Sequence, residues 1–319
     1  MTTSVALCTY NGEKFLEQQI DSILTQTVAV DEIIVCDDGS TDKTSVILNK
    51  YQAKFPNLFK IYINEKNLRS VKNFEKAISL CTKEIIFLCD QDDIWVENKV
   101  EIITEYFNKH SEINALATNG FGIDDNNNLL DVYSLWDIPH FFKEKKIEIN
   151  YYKIIAFAGN IATGASMAFR SKILNEIMPF PVIKGFHHDA WIAMKSSMEN
   201  TFQFLPDKLF KYRIHDNQQV GDVFLDKNEK NKNLLIQLFD FSVSDKKFAS
   251  YKYILKRISK SFKKNKILLQ EKNYELISKK IDKDLKELFY FHKQEMKKLY
   301  PIRFFLLNIS DNLLNKRKL

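Results

Sequence analysis

The acidic run Asp90-Gln91-Asp92-Asp93 places three carboxylates within four residues, directly after an apolar stretch over 85–89. Carboxylates that close repel one another and lose hydration, so a fold tolerates them best where a cation or hydrogen-bond donors compensate. A hard divalent ion such as Mg²⁺ or Mn²⁺ does this and keeps waters and phosphate oxygens in its remaining positions. The pattern therefore points to a metal–diphosphate site at the carboxyl end of a strand. A solvated acidic turn capping a helix from about Val96 would explain the same acids without a ligand.

Two other polar clusters share this setting. Thr9-Tyr10-Asn11-Gly12 follows one apolar run and Asp37-Asp38-Gly39-Ser40-Thr41-Asp42 follows another. Gly39 permits a tight turn and Ser40, Thr41 or Asp42 can cap the next helix. Two adjacent acids exceed what a cap requires, and one could accept hydrogen bonds from a nucleoside base or ribose. Tyr10 could stack on the base or merely pack. No Gly-x-Gly-x-x-Gly or Gly-x-x-x-x-Gly-Lys-Ser/Thr run occurs, which argues against a Rossmann dinucleotide site or a P-loop.

The elements that must hold these clusters alternate regularly. Apolar patterning predicts strands over 4–9, 32–36, 59–63, 84–89 and 115–118, and helices over 13–26, 42–54, 71–81 and 97–110. A polar turn over 124–128 belongs in a hairpin. Such alternation implies an α/β fold with a doubly wound, mostly parallel sheet covered on both faces. Ligands of such sheets bind beyond the carboxyl ends of the strands, where all three clusters fall.

The order of motifs resembles family 2 glycosyltransferases of the GT-A fold. The residues that carry it are Ala6-Leu7-Cys8-Thr9-Tyr10-Asn11-Gly12, Ser22-Ile23-Leu24-Thr25-Gln26-Thr27, Val35-Cys36-Asp37-Asp38-Gly39-Ser40-Thr41-Asp42 and Asp90-Gln91-Asp92-Asp93-Ile94-Trp95. The resemblance covers roughly residues 1–220. It implies sugar transfer from a nucleoside diphosphate to an acceptor with inversion, aided by Mg²⁺ or Mn²⁺. Thr9, Tyr10, Asn11 and Asp38 then serve the nucleoside, and Asp90 and Asp92 form the Asp-x-Asp motif reaching ribose and metal. Asp93 is left to the turn and the following helix. The form of the last motif is most similar to bacterial rhamnosyltransferase-like members, so dTDP-rhamnose is the first donor expected, then UDP-hexoses. The implied setting is bacterial surface polysaccharide synthesis on a glycan or lipid-linked acceptor.

The second half of the resemblance supplies the acceptor side. The run from Gly159 to Arg170, with Gly164 inside it, is similar to the family's glycine-containing loop beneath the donor sugar; small residues there also suit tight packing. His187-His188-Asp189 resembles the family's acidic motif, in which the final Asp is the general base, although His188 replaces the usual Glu. Asp189 could equally cap a helix. His215, in Tyr212-Arg213-Ile214-His215-Asp216-Asn217, resembles the histidine that completes the metal site. Arg69, Arg170 and Arg213 are the arginines before residue 226, and one of them could grip a diphosphate.

Charge divides the chain. Residues 1–225 carry 23 Lys+Arg against 30 Asp+Glu, a net of −7, whereas 226–319 carry 24 against 11, a net of +13. The expected organisation is a catalytic domain over 1–225 and a basic helical region over 226–319. The acidic front is not expected to bind nucleic acid, whereas the basic tail could meet anionic lipid, an acidic partner protein or nucleic acid, of which nucleic acid is not the expected partner. The tail's apolar helix faces could pack on the catalytic domain or on a second subunit in a homo-oligomer; its lysines could instead meet an anionic membrane surface. No apolar run approaches the ~20 residues of a membrane span, and the first residues lack a basic leader with an apolar core. A cytoplasmic protein, peripheral on the inner face of the cell membrane at most, is expected. Cys8, Cys36, Cys81 and Cys89 lack metal-ligand spacing and read as small buried thiols.

Two other classes fit parts of this pattern. A sugar-nucleotide nucleotidyltransferase would carry a basic Gly-rich triphosphate loop near the start, which Thr9-Tyr10-Asn11-Gly12-Glu13 is not. A non-catalytic binding module on the same scaffold would have no need of Asp38, Asp90, Asp92, Asp189 and His215 together.

Overall fold

The computed structural model describes residues 1–183, 186–215, 224–268, 274–314 and 316–319. Asp216 and Asn217 lie outside the described residues. The chain divides into two compact units, Met1–Tyr152 with Asn160–Ile236, and Lys153–Gly159 with Gln237–Leu319. Relative to a boundary at 225, residues 226–236 join the first unit and the segment Lys153–Gly159 joins the second.

The first unit runs β1 (Thr3–Thr9), α1 (Leu16–Leu24), β2 (Glu32–Asp37), α2 (Thr44–Lys54), β3 (Phe59–Ile63), α3 (Arg69–Leu80), β4 (Ile85–Cys89), β5 (Ile94–Trp95) and α4 (Lys99–Lys109). It continues through β6 (Ala115–Ile123), β7 (Val132–Ser134), α5 (Ile138–Glu144), α6 (Tyr151–Lys153), β8 (Met167–Arg170), α7 (Leu174–Ile177), α8 (His188–Met198), β9 (Phe202–Arg213), β10 (Phe224–Asp226) and α9 (Glu229–Phe239), of which α6 and α9 end across the unit boundary. Among the described residues the main sheet has eight strands in the order β3-β2-β1-β4-β8-β6-β9-β5. The pairs β1–β2, β2–β3, β1–β4 and β6–β9 are parallel, while β8 and β5 enter antiparallel.

The central strands are unbroken apolar runs because both sheet faces are covered. Val5, Ala6 and Leu7, Ile33 to Cys36 and Ile85 to Cys89 are all buried. Helices seal the faces through spaced apolar positions, Leu16, Ile20 and Ile23 on α1 and Phe74, Ala77 and Ile78 on α3. All four cysteines are free and buried. Strand order reverses between β1 and β4, since the chain leaves β1 toward β2 and returns to its other side. The carboxyl ends of β1, β2 and β4 therefore open on one crevice.

The helix expected over 97–110 starts at Lys99 instead, because Ile94 and Trp95 first pair with β9. In the second unit, α10 (Phe248–Leu268) packs on α11 (Glu275–Leu299), burying Ile254, Ile258 and Phe262 with Ile281, Leu285 and Phe289; α12 (Pro301–Leu313) follows. Among the described residues, no helix is long and apolar enough to cross a membrane.

Candidate active site

The loops after β1 and β2 are stitched into one shelf. Asn11 N–H donates to Ser40 Oγ at 2.8 Å, Thr41 N–H to Asn11 Oδ1 at 2.9 Å, and Gly12 N–H to Thr44 Oγ1 at 2.8 Å. Thr9 Oγ1 donates to Asp37 Oδ1 at 2.7 Å. The side chains of Thr9 and Asn11 thus hold the shelf together, leaving backbone and the exposed Tyr10 ring toward solvent. Asp42 caps α2 as expected of that cluster, its Oδ1 accepting Thr44 N–H at 2.9 Å.

Gln91 is a residue that spacing did not single out. Its amide pairs reciprocally with the Tyr10 backbone, accepting from Tyr10 N–H at 2.8 Å and donating to Tyr10 O at 3.0 Å. This clamp joins the β1 loop to the β4 loop. It also dictates Gly12, because a Cβ there would lie 2.3 Å from Gln91 Oε1.

Asp38 is buried, and its carboxylate accepts from Asn64 Nδ2 at 2.8 Å, Leu68 N–H at 2.7 Å and Arg69 N–H at 2.8 Å. It anchors the loop between β3 and α3 against the shelf, with lone-pair capacity left on Oδ2. Arg69 is brought to the crevice edge, exposed and at φ 63°. The other arginines are committed elsewhere. Arg170 donates to the carbonyls of Phe107, His110 and Ile113. Arg213, 1% exposed, donates to the carbonyls of Asp92 and Asp124 and to Gln18 Oε1 over the Phe15 ring.

The acids after β4 have separate surroundings. Asp93 is buried, with Oδ1 accepting Arg213 N–H at 3.1 Å and Oδ2 without a partner among the described residues. Asp93, expected to serve the turn and the following helix, instead ties the β4 loop to the end of β9. His215 Nε2–H donates to Asp92 Oδ2 at 2.9 Å. Asp90 has its carboxyl pushed up to about 8, chiefly by burial and then by the charges of Asp92 and Asp189. Lys99 opposes that rise. Its ammonium is fully buried, donates to Ala165 O at 2.7 Å and lies 4.2 Å over the Trp95 ring; burial pulls its pKa down to about 8. A lysine inside an amphipathic helix gave no sign of this, because only the packing of α4 beneath the loop turns it inward.

Across the crevice, the turn before β8 meets the start of α8. Gly164 N–H donates to Asp189 Oδ2 at 3.0 Å, and Ala190 N–H donates to Asp189 Oδ1 at 2.6 Å. Asp189 therefore serves the first helical turn and faces the loop together. Burial raises its pKa while these two donors pull the other way. A Cβ at Gly164 would lie 3.2 Å from Asp90 Oδ2 and 3.3 Å from His188 Nε2. His188 is buried and stacks on Phe74 with ring centroids 3.9 Å apart. Among the described residues neither of its nitrogens has a partner, and burial pulls its pKa down to about 3, so the ring is neutral.

Asp92 and His215 offer the oxygen and imidazole ligands that suit Mg²⁺ or Mn²⁺. The Asp92–His215 pair is assembled, and the raised Asp90 marks acid that a cation would compensate. Among the described residues no group of three or more His, Cys, Asp or Glu closes into a metal cage. Asp92 and His215, in contact, are the residues that could hold such an ion, with ligand oxygens and water in its remaining positions.

A family model described as Glycosyl transferase family 2 matches residues 4–178. An uncharacterized glycosyltransferase of Methanocaldococcus jannaschii is 29% identical over 232 residues, 72% of this chain and 75% of that protein. Chondroitin synthase of Escherichia coli is 28% identical over 188 residues, 56% of this chain but 27% of the synthase. Among solved structures, S. aureus TarS 1–349 in complex with UDP-GlcNAc superposes with a TM-score of 0.55 at 19% identity, over 93% of this chain and 91% of TarS. That likeness is one of fold.

Proposed function

Because the chain belongs to glycosyl transferase family 2, we propose that it transfers a sugar with inversion from a nucleoside-diphosphate donor, with Asp189 as the base that activates the acceptor. One observation supports this above others. Gly164 gives its N–H to Asp189 and its open face to Asp90 Oδ2, so the acceptor-side and donor-side acids meet at one small residue.

Tyr10, held by Gln91, presents its ring to the base, and Asp38 fixes the loop that carries Asn67 and Arg69 beside it. Asp90 meets the ribose and donor sugar, and Arg69, exposed beside Asp38, is the arginine left to meet the diphosphate. Asp92 and His215 would hold Mg²⁺ or Mn²⁺, which when bound neutralises charge on the leaving diphosphate as a Lewis acid. The acceptor hydroxyl oxygen attacks the anomeric carbon while the bond to the diphosphate oxygen breaks, and the hydroxyl proton passes to Asp189. Burial that raises the basicity of Asp189 favours that transfer.

A UDP-hexose donor draws support from the fold shared with the TarS complex; the form of the Asp90–Trp95 motif favours dTDP-rhamnose. The acceptor is a glycan or lipid-linked glycan of a surface polysaccharide. A panel of UDP-, GDP- and dTDP-sugars with and without Mn²⁺ tests the donor through thermal stabilisation, about 2.7 kcal/mol at a hundredfold excess over Kd. Asp189→Asn should lower transfer by about 10²–10⁴-fold with nucleotide–metal affinity unchanged by calorimetry. Full activity in that variant would remove Asp189 from the base role.

A further inference from the structure

Helix α12 carries an apolar stripe that the rest of the second unit leaves uncovered among the described residues. Ile302, Phe305, Leu306, Ile309 and Leu313 recur at helical spacing, and Leu299 at the end of α11 continues the line. At 100° per residue they occupy one arc of about 120°. All are exposed, Ile302 at 77%, Phe305 at 64% and Leu313 at 81%. The opposite side carries Phe304, Leu307 and Asn308, half-buried, and Asp311, buried.

The rim of the stripe is basic. Lys297 and Lys298 stand exposed in the last turn of α11, and Arg303 is exposed in the first turn of α12. At the other end, Lys316 N–H donates to Asp311 O and the Arg317 guanidinium pairs with the Asp311 carboxylate. The chain end is thereby folded back on α12, where Lys316 and Lys318 are exposed. Over 291–319 the acids are Glu295 and Asp311 against seven Lys+Arg, and Asp311 is spent on Arg317.

We propose that this face of α12 docks on an anionic phospholipid surface, lying in the interface with its apolar stripe down. A helix of 13 residues spans about 20 Å, short of a ~30 Å hydrocarbon core, so it lies on a bilayer and does not cross it. Charge decides between occupants. A second copy meeting the same face antiparallel would set Lys297, Lys298 and Arg303 at one end against Lys316 and Lys318 at the other, whereas anionic headgroups complement both ends. The inference stands apart from the reaction proposed above, since its readout is sedimentation.

The test mixes the full chain with phosphatidylcholine vesicles, with and without phosphatidylglycerol, at low and high salt. Selective binding to the anionic vesicles that weakens with salt is expected. The triple variant Phe305→Ser/Leu306→Ser/Ile309→Ser should lose at least about tenfold in affinity, and Lys297→Glu/Lys298→Glu/Arg303→Glu about a hundredfold. No binding by the wild-type chain, or binding unchanged in both variants, overturns the proposal. So does a wild-type dimer in light scattering that the serine variant dissociates, which would make a second copy the occupant.

Discussion

His188, where this chain departs from the acidic pair of its family, offers a sharp physical test. The side chain is 4% exposed, stacks on Phe74 and has two ring nitrogens without partners among the described residues. Protonation in that setting would bury an unpaired charge, so the folded pKa drops to about 3 from an unfolded value near 6.5. Between those limits the unfolded chain binds the extra proton. Stability from this group is complete above pH ~6.5 and falls with pH below it, at up to about 1.4 kcal/mol per unit. At pH ~5 the loss attributable to His188 alone is about 2 kcal/mol. His188→Gln cannot titrate and should lack that component. Urea unfolding of both proteins at neutral and acidic pH, followed by tryptophan fluorescence, measures it, because Trp95, Trp136 and Trp191 all lie in the first unit. Comparing the pH dependence of the two proteins cancels the baseline effect of the substitution. Equal losses in both on acidification would refute a neutral, unpartnered imidazole beside Gly164.

Two glycines yield the remaining predictions. Gly164→Ala brings a methyl to 3.2 Å from Asp90 Oδ2 and 3.3 Å from His188 Nε2. Those groups must yield by a few tenths of an ångström, so kcat should fall about tenfold, scaled from ~10² per ångström, while urea-measured stability changes by less than about 1 kcal/mol. Gly12→Ala collides with Gln91 Oε1, and the displaced amide releases the Tyr10 backbone. Donor KM should rise several-fold with kcat retained, at a stability cost of about 1–2 kcal/mol for two lost hydrogen bonds; steady-state kinetics and chemical unfolding separate these effects.

The alternating strands and helices of the first 120 residues were legible because burial on both sheet faces forces unbroken apolar runs, and covering helices need apolar residues at 3.6-residue spacing. β5 was not. Ile94 and Trp95 are too short a run to announce a strand, and they become one only by pairing with Lys211 and Phe210. β9 was hidden in the same way, with Pro206 and Asp207 interrupting its pattern and bulges shifting its register on β6. The roles of the three arginines were also beyond local reading, since Arg170 and Arg213 find their carbonyl partners far along the chain.

By itself the sequence determined the fold class, the polar clusters at the strand ends and the family, because each rests on local periodicity or on motifs in fixed order. Tertiary structure decided how those clusters divide their work. Strand order puts β1 beside β4, and that contact makes Gln91 the clamp on Tyr10. The inward turn of α4 makes Lys99 a buried counter-charge beneath Asp90, and the meeting of the β8 turn with α8 joins Gly164, Asp189 and His188. Hydrogen bonds and desolvation act through space at a few ångströms, so a residue's charge and partners follow from which elements pack together and not from its neighbours in the chain.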